Sequence, residues 1–450
     1  MTTIVVDNIC FPVGSELAGE PDIREGFSVA ITRTAGASEI DLTRRELYGS
    51  GFPHEVFADL RSTGAVHRHP VVEVSGAGEV SFWSVVRHQE VQQANRDWAT
   101  FSAVDGPGLA PSDMFRDLGM LVALDPPRHN RLRRLVTAGF TPRMIARLEE
   151  NIEWHCERIL DDVIARGDDI VDFVDDVSYL LPMHVIADIV GIPEDDRPWI
   201  FKRIDYVLRS FDPAAGISET EQLTAQLECF EYAQRLAEQK RADPTDDIWT
   251  TLTKAEVPDD DGEPTALSDE ELDAFFMILA VGGSETTRNV LAQGLMALVE
   301  QPDQIAALRA DPGLLPDAAD EMIRWASPVL MFGRTATRDV ALGDQLIAAG
   351  DRIVLWYPSA NRDELVFANP YRFDIHRRPN PHVSFGGGGP HYCLGANLAK
   401  KEVQVMLGAL ARRFATIELA GPPQWMGAGP VHSVGVSIDH LPVRLKAGLP

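Results

Sequence analysis

One element limits what this chain can fold into: a long helix that has to be buried. Ser268 opens it with Glu271 three residues on, the spacing at which a serine hydroxyl caps the first turn while the acid bonds back to the cap. From Leu272 onward the run is apolar enough to put most of the helix in the core, and Gln301-Pro302 supplies a stop. The most apolar stretch, 274–283, is about half of the roughly 20 residues a bilayer span needs, so it reads as interior and not as an anchor. Within it lies Gly282-Gly283-Ser284-Glu285-Thr286-Thr287. A glycine in a helix interior costs roughly 1 kcal/mol relative to alanine, and an acid in apolar surroundings is costly unless satisfied. The glycine pair permits a local widening of the helix, a distortion that often marks a functional site. The plainer reading is a packing notch, with Glu285 reaching solvent.

The rest of the chain is mainly α with minor β. From 126 to about 299 the pattern is helical, divided by Pro182, Pro193, Pro198, Pro213 and Pro244. Alternation across 71–86 around Gly76 and Gly78 predicts a hairpin, and 258–262 an acidic loop. Helices are expected over 316–325 and from Leu394 to about Phe414, with short strands and loops over 329–375. Residues 1–45 read as irregular. No repeat or linker divides the 450 residues, so the expectation is one domain over 1–450.

A formal net charge of −27 argues against nucleic acid as a partner. The four cysteines, Cys10, Cys156, Cys229 and Cys393, are far apart, which disfavours a disulfide framework or a structural zinc site and fits a reducing compartment. Residues 1–21 lack a signal-peptide pattern, so a cytoplasmic protein without a membrane anchor is expected.

A second constellation runs Phe385-Gly386-Gly387-Gly388-Gly389-Pro390-His391-Tyr392-Cys393-Leu394-Gly395. Four glycines let the backbone turn sharply and approach a flat ligand closely. Cys393 is expected at the start of a helix, where amide donors and the dipole lower its pKa and stabilise a thiolate. On its own the loop favours the plainer reading, a flexible turn before an inert buried cysteine. A phosphate cradle is disfavoured, because neither a G-K-[ST] element nor a dinucleotide glycine spacing is present.

Three weaker patterns accompany it. Glu321 and Arg324 stand at i and i+3, a spacing common on surfaces and worth little there. His129 and Arg133 stand at i and i+4, behind a proline-opened helix. Between 128 and 147 there are six arginines and no acid, and Lys400 and Lys401 follow the cysteine loop.

Together these motifs resemble the cytochrome P450 family. Phe385-Gly386, His391, Cys393 and Gly395 resemble its heme-binding signature, with one residue more than the commonest spacing between Phe385 and Cys393. That extra glycine resembles a bacterial subgroup acting on sterol side chains, branched lipids and terpenoids. The resemblance implies a single-domain α-rich prism around a buried heme b (iron protoporphyrin IX), with Cys393 as iron ligand and Phe385 over the sulfur. A thiolate ligand donates electron density and promotes O–O cleavage. Gly282 and Gly283 would make room for O2, and Glu285 with Thr286 would handle protons. His129, Arg133, Arg334 and His391 match propionate-binding positions. Glu321 and Arg324, joined by Arg372, would form a buried network under the cysteine loop.

The implied activity is O2-dependent hydroxylation of a lipophilic small molecule by a monomer. The chain has no flavin or NAD fingerprint, so electrons should come from a ferredoxin and its reductase, steered by the basic residues over 128–147 and at 400–401. Apolar segments 118–124, 276–283 and 329–332 are expected to line the substrate site, closed by the region 199–230. The rivals are a peroxide-driven heme-thiolate enzyme, a non-catalytic heme- or ligand-binding protein, and a nucleotide-binding enzyme using the glycine run. Thr286 argues against the first, and the Glu285-Thr286 pair against the second.

Overall fold

The computed structural model describes residues 40–74, 78–139, 142–167, 169–210, 212, 215–258, 264–426, 429–432 and 435–448. Ala37–Pro450 form one compact unit. Most of the segment expected to be irregular, 1–45, and Pro213 lie outside the described residues, as do the tip of the predicted hairpin and most of the acidic loop.

Among the described residues, nine helices position the site. They are α1 (His88–Arg96), α2 (Arg128–Gly139), α3 (Pro142–Arg166), α4 (Leu180–Val190), α5 (Arg197–Arg209), α6 (Glu219–Ala242), α7 (Asp269–Val299), α8 (Leu315–Ala326) and α9 (Ala396–Arg413). The long buried helix is α7, and its capping box forms as expected: Glu271 N–H donates to Ser268 Oγ at 3.2 Å, and Ser268 N–H to Glu271 Oε2 at 3.2 Å. It packs against α4, α6, α8 and α9, which together bury residues such as Leu272, Phe276, Leu291 and Leu295. Among the described residues no helix is long and apolar enough to cross a membrane.

Pro193 and Pro244 fall between helices and Pro198 in the first turn of α5. Pro182 instead lies within the first turn of α4, where its missing N–H is tolerated, so it divides nothing. The helix expected from Leu394 begins at Ala396, leaving Cys393 in the loop ahead of it.

The sheet is a minor layer. Its strand order is β1 (Val66–Arg68), β2 (Trp83–Val85), β5 (Arg352–Trp356), β4 (Met331–Ala336) and β3 (Phe101–Ser102), with β2 and β5 the parallel pair. All five residues of β5 are buried, and Ile353 lies opposite Arg334. The hairpin expected over 71–86 forms between Val72–Val74 and Gly78–Val80, while β2 leaves it to join the main sheet. Outside this sheet, β6 (Ile438–His440) pairs with Gln424–Trp425.

Candidate active site

The cysteine loop is held from both ends. Cys393 N–H donates to the Phe385 carbonyl at 3.0 Å, which closes the loop and sets Phe385 beside the cysteine. The glycines between them all adopt positive φ, from 68° to 124°. At Gly389 the reason is a close approach: a Cβ would lie 2.1 Å from the Asn95 carbonyl at the end of α1, and at Gly388 one would lie 2.7 Å from Arg96 Nε. The extra glycine therefore belongs to a loop pressed onto α1, a contact that loop composition alone does not reveal.

Below the loop sits a buried ion-pair network. Glu321 and Arg324 are both 0% exposed and pair through two bonds of 2.7 Å. Arg324 also donates to the carbonyls of Asn361 and Pro370. Asn361 in turn accepts from Val383 N–H at 2.8 Å and donates to Ser384 Oγ, just ahead of the loop. The third member is not Arg372. That side chain is exposed, and only its carbonyl joins the network. Arg377 takes the place instead, its Nε donating to Glu321 Oε2 at 3.0 Å. The backbone reverses at Asn369 (φ 48°), and the arginine eight residues later, not the one three residues later, turns inward.

One cavity of about 290 Å³ collects most of the expected site. Gly282, Gly283 and Thr286 line it from α7, His129 and Arg133 from α2, Arg334 from β4, and Phe385, His391 and Cys393 from the loop. Cys393 is the one cysteine among the described lining residues. Cys156 and Cys229 are buried elsewhere, where burial pushes each thiol up to about 12.

The expected lowering of the Cys393 pKa is only partly present. Burial raises it above the ordinary thiol value, and the Gly395 N–H and the Arg133 charge offset that in part. A cysteine in a loop ahead of the helix, facing an apolar space, needs a cation beside it to become a thiolate, and a bound metal ion supplies one.

The basic side chains gather on one wall. His129 and His391 have ring centroids 4.3 Å apart. Burial lowers both pKa values, that of His391 to about 2, and the nearby Arg334 and Arg133 charges add to the lowering of each. Both rings are thus neutral, and among the described residues His391 Nε2 has no hydrogen-bond partner. Arg334 is 3% exposed and donates to its neighbouring Gly333 carbonyl at 2.8 Å, and among the described residues no carboxylate pairs with it. Arg352, missed by the sequence reading, stands close enough to add repulsion to this wall, and burial lowers its pKa to about 10. Arg133 donates to the Tyr392 carbonyl. Buried cations without anions and an orphaned imidazole nitrogen call for an anionic ligand. Tyr357 and Asn95 complete this side, the tyrosine hydroxyl donating to Asn95 Oδ1 at 3.3 Å.

On α7 the two glycines differ. A Cβ on Gly283 would meet Ile186 of α4 at 2.5 Å, the packing notch, whereas a Cβ on Gly282 meets nothing within 4 Å. The helix does not widen into another helical form. It runs as α-helix throughout, and the local adjustment is that the Thr286 hydroxyl donates to the Gly282 carbonyl at 2.9 Å. Glu285 lies beside the cavity but not on its wall, because its carboxyl accepts from Ser437 Oγ at 3.0 Å.

The apolar wall is formed by Leu121, Val122, Ile278, Leu279, Val329 and Phe332 from the three expected segments, joined by Phe275 just ahead of the second and by Ile186 and Ile189 of α4. Phe276 faces away, against Tyr232 and Trp249. The basic surface is less free than its sequence implied. Arg128 and Arg131 approach Glu271 of α7 at 3.6 and 3.8 Å, Lys400 pairs with Asp320 at 2.8 Å, and Lys401 with Glu149 at 3.4 Å. Arg134 is exposed, and the side chains of Arg143 and Arg147 lie outside the described residues.

The family profile for cytochrome P450 matches residues 48–312 and 313–426. The chain belongs to the cytochrome P450 family. It is 41% identical over 429 residues to a putative cytochrome P450 126 of Mycobacterium tuberculosis, covering 93% of this chain and all of that one. It is 38% identical over 401 residues to a steroid C26-monooxygenase of Mycolicibacterium smegmatis, covering 87% of this chain and 91% of that protein. Among solved structures, cytochrome P450 CYP268A2 of Mycobacterium marinum in complex with pseudoionone aligns with a TM-score of 0.82 at 35% identity, over 90% of this chain and 98% of that one. The P450 is therefore a heme-thiolate monooxygenase that carries heme b, with the mainly α, minor β fold of its family. The cavity suits that group: an apolar slot with one cysteine, a buried Arg334, a part-buried Arg133 and two neutral histidines fits a flat ring bearing two carboxylates.

Proposed function

We propose that Cys393 is the thiolate ligand of the heme iron and that His129, Arg133, Arg334 and His391 hold its propionates. The chain then hydroxylates a lipophilic small molecule of steroid, fatty-acid or terpenoid type, as a cytoplasmic monomer, with electrons from a ferredoxin and its reductase. The observation that carries this reading is the convergence of these five side chains with Thr286 on a single cavity. Heme, when bound, supplies the iron at which O2 is activated. Buried Arg334 and part-buried Arg133 neutralise carboxylates that would be costly in an apolar slot, and the two neutral imidazoles offer N–H donors beside them. The apolar wall from Leu121 to Phe332 holds the substrate and keeps water out. Thr286 presents a hydroxyl at the wall, and Glu285 stands next to it for exchange with solvent.

The reaction balances as one substrate C–H, one O2, two electrons and two protons giving one C–OH and one water. The substrate class rests on the apolar wall and on relatives named as a steroid C26-monooxygenase and, in Mycobacterium tuberculosis, a methyl-branched lipid omega-hydroxylase. The electron donor rests on exposed Arg128 and Arg134 on α2, whose Arg133 reaches the cysteine loop.

Titrating the heme-loaded protein with steroids, branched fatty acids and terpenoids tests this. A low- to high-spin change with one of these classes is expected, followed by hydroxylation with NAD(P)H, ferredoxin reductase and ferredoxin. Turnover with peroxide alone and none with ferredoxin contradicts the donor. A spin change with none of the three classes contradicts the substrate.

A further inference from the structure

Glu285, Asn289 and Gln293 stand four residues apart on α7, so they form one row along the helix. All three reach the same extended segment, 436–438. Ser437 Oγ donates to Glu285 Oε1 at 3.0 Å, and Asn289 Nδ2 donates to Ser437 Oγ at 2.8 Å. Ile438 N–H donates to Asn289 Oδ1 at 3.2 Å, and Gln293 Nε2 to the Val436 carbonyl at 3.0 Å. Ser437 and Asn289 are 3% and 1% exposed. A serine hydroxyl has one proton to give. Here the Ser437 oxygen accepts from Asn289, so its proton is directed at Glu285. The neighbouring Gly435 bridges to Val329, which lines the cavity. A segment some 150 residues away in sequence thus fixes the carboxyl of Glu285 beside the cavity, while Thr286 faces into it.

We infer that Ser437 is a positioning residue for proton delivery, holding Glu285 in a parked orientation from which its carboxyl exchanges between solvent and Thr286. This rests on the reading of Glu285 and Thr286 as the proton-handling pair. A proton from solvent joins a Glu285 oxygen, and rotation of the side chain breaks the Ser437 bond. The Glu285 O–H then donates to Thr286 Oγ as the Thr286 hydroxyl turns away from the Gly282 carbonyl and gives its own proton to the cavity. The net transfer is one proton from solvent to the site. The bond to Ser437 re-forms and returns the carboxyl to its starting place. A hydroxyl bond is suited to this use, because hydrogen bonds exchange at small net cost where a buried ion pair does not.

The test compares Ser437→Ala and Ser437→Thr with the wild type as heme-loaded proteins. The readouts are product formed per NAD(P)H consumed, the solvent isotope effect on O2 consumption, and the C–O stretching band of the reduced carbon monoxide complex. Ser437→Ala is expected to lower product per NAD(P)H roughly tenfold and to enlarge the isotope effect. It should also add a second C–O band, as the freed carboxyl swings toward the cavity. Ser437→Thr keeps the hydroxyl and restores most of each value. Wild-type coupling in Ser437→Ala overturns the proposal. So does a loss that Ser437→Thr shares in full, or one without a new C–O band, since either marks Ser437 as a brace for α7. If Glu285→Gln leaves the product yield unchanged, the proton-pair reading itself fails, whatever Ser437 does.

Discussion

The cysteine loop and the middle of α7 face the same cavity and are held there in opposite ways. The loop is overdetermined: four glycines at positive φ press it onto α1, the Cys393 N–H ties it to Phe385, and the buried Glu321–Arg324–Arg377 group supports the segment before it. The α7 segment is held lightly. Gly282 borders open space, Thr286 satisfies its own hydroxyl on the helix, and Glu285 hangs on one serine bond. A metal ligand has to stay within a few tenths of an ångström of its place, and buried charge enforces that because every alternative strands an ion. A proton-handling group has to move, and single hydrogen bonds allow it.

Breaking the buried pair should have the largest effect. Arg324→Ala removes two of the five hydrogen bonds to the buried Glu321 carboxylate, a cost of roughly 3–5 kcal/mol. Heme per chain after purification and the thermal midpoint should both fall sharply. Wild-type heme content in this variant would remove the contrast between the two regions.

Alanine at two glycines sharpens the contrast. Gly389→Ala forces a Cβ to 2.1 Å from the Asn95 carbonyl at φ 80° and should cost about 1–3 kcal/mol. Gly282→Ala meets nothing within 4 Å and should raise helix stability by up to about 1 kcal/mol while it narrows the cavity. Thermal midpoints of opposite sign are the expected result. Equal losses would mean that α7 at Gly282 is as tightly packed as the loop.

A smaller effect concerns the front of α7, where burial holds the Asp273 carboxyl at about 6 and Gln234 only partly offsets it. The folded state therefore binds this proton more tightly than the unfolded chain, so its contribution is present at low pH and is lost as pH rises from about 4 to about 6. Asp273→Asn cannot ionise. Its thermal midpoint relative to the wild type should climb through that window and level off above it. A constant difference across the window contradicts the assignment.

Much of this was legible in the sequence, where local rules act. The Ser268–Glu271 box, the apolar face of α7, the i, i+4 pair His129 and Arg133, and the glycine run before Cys393 all follow from short-range spacing. What failed depended on contacts distant in sequence. Choosing Arg377 over Arg372 depends on how the irregular stretch after Asn369 turns, and no periodicity governs it. Arg352 reaches the basic wall only through strand pairing with β4. Ser437 meets Glu285 across 152 residues, and nothing near either marks the contact. Acids outside the basic segment, Glu271 and Asp320 among them, reach several of its cations and those at 400–401.

The central claim is that Cys393 holds the iron. In Cys393→Ser the reduced carbon monoxide complex should lose the red-shifted Soret band of thiolate-ligated heme, and hydroxylation should fall to background. Persistence of that band in the serine variant, with heme bound, would contradict the assignment.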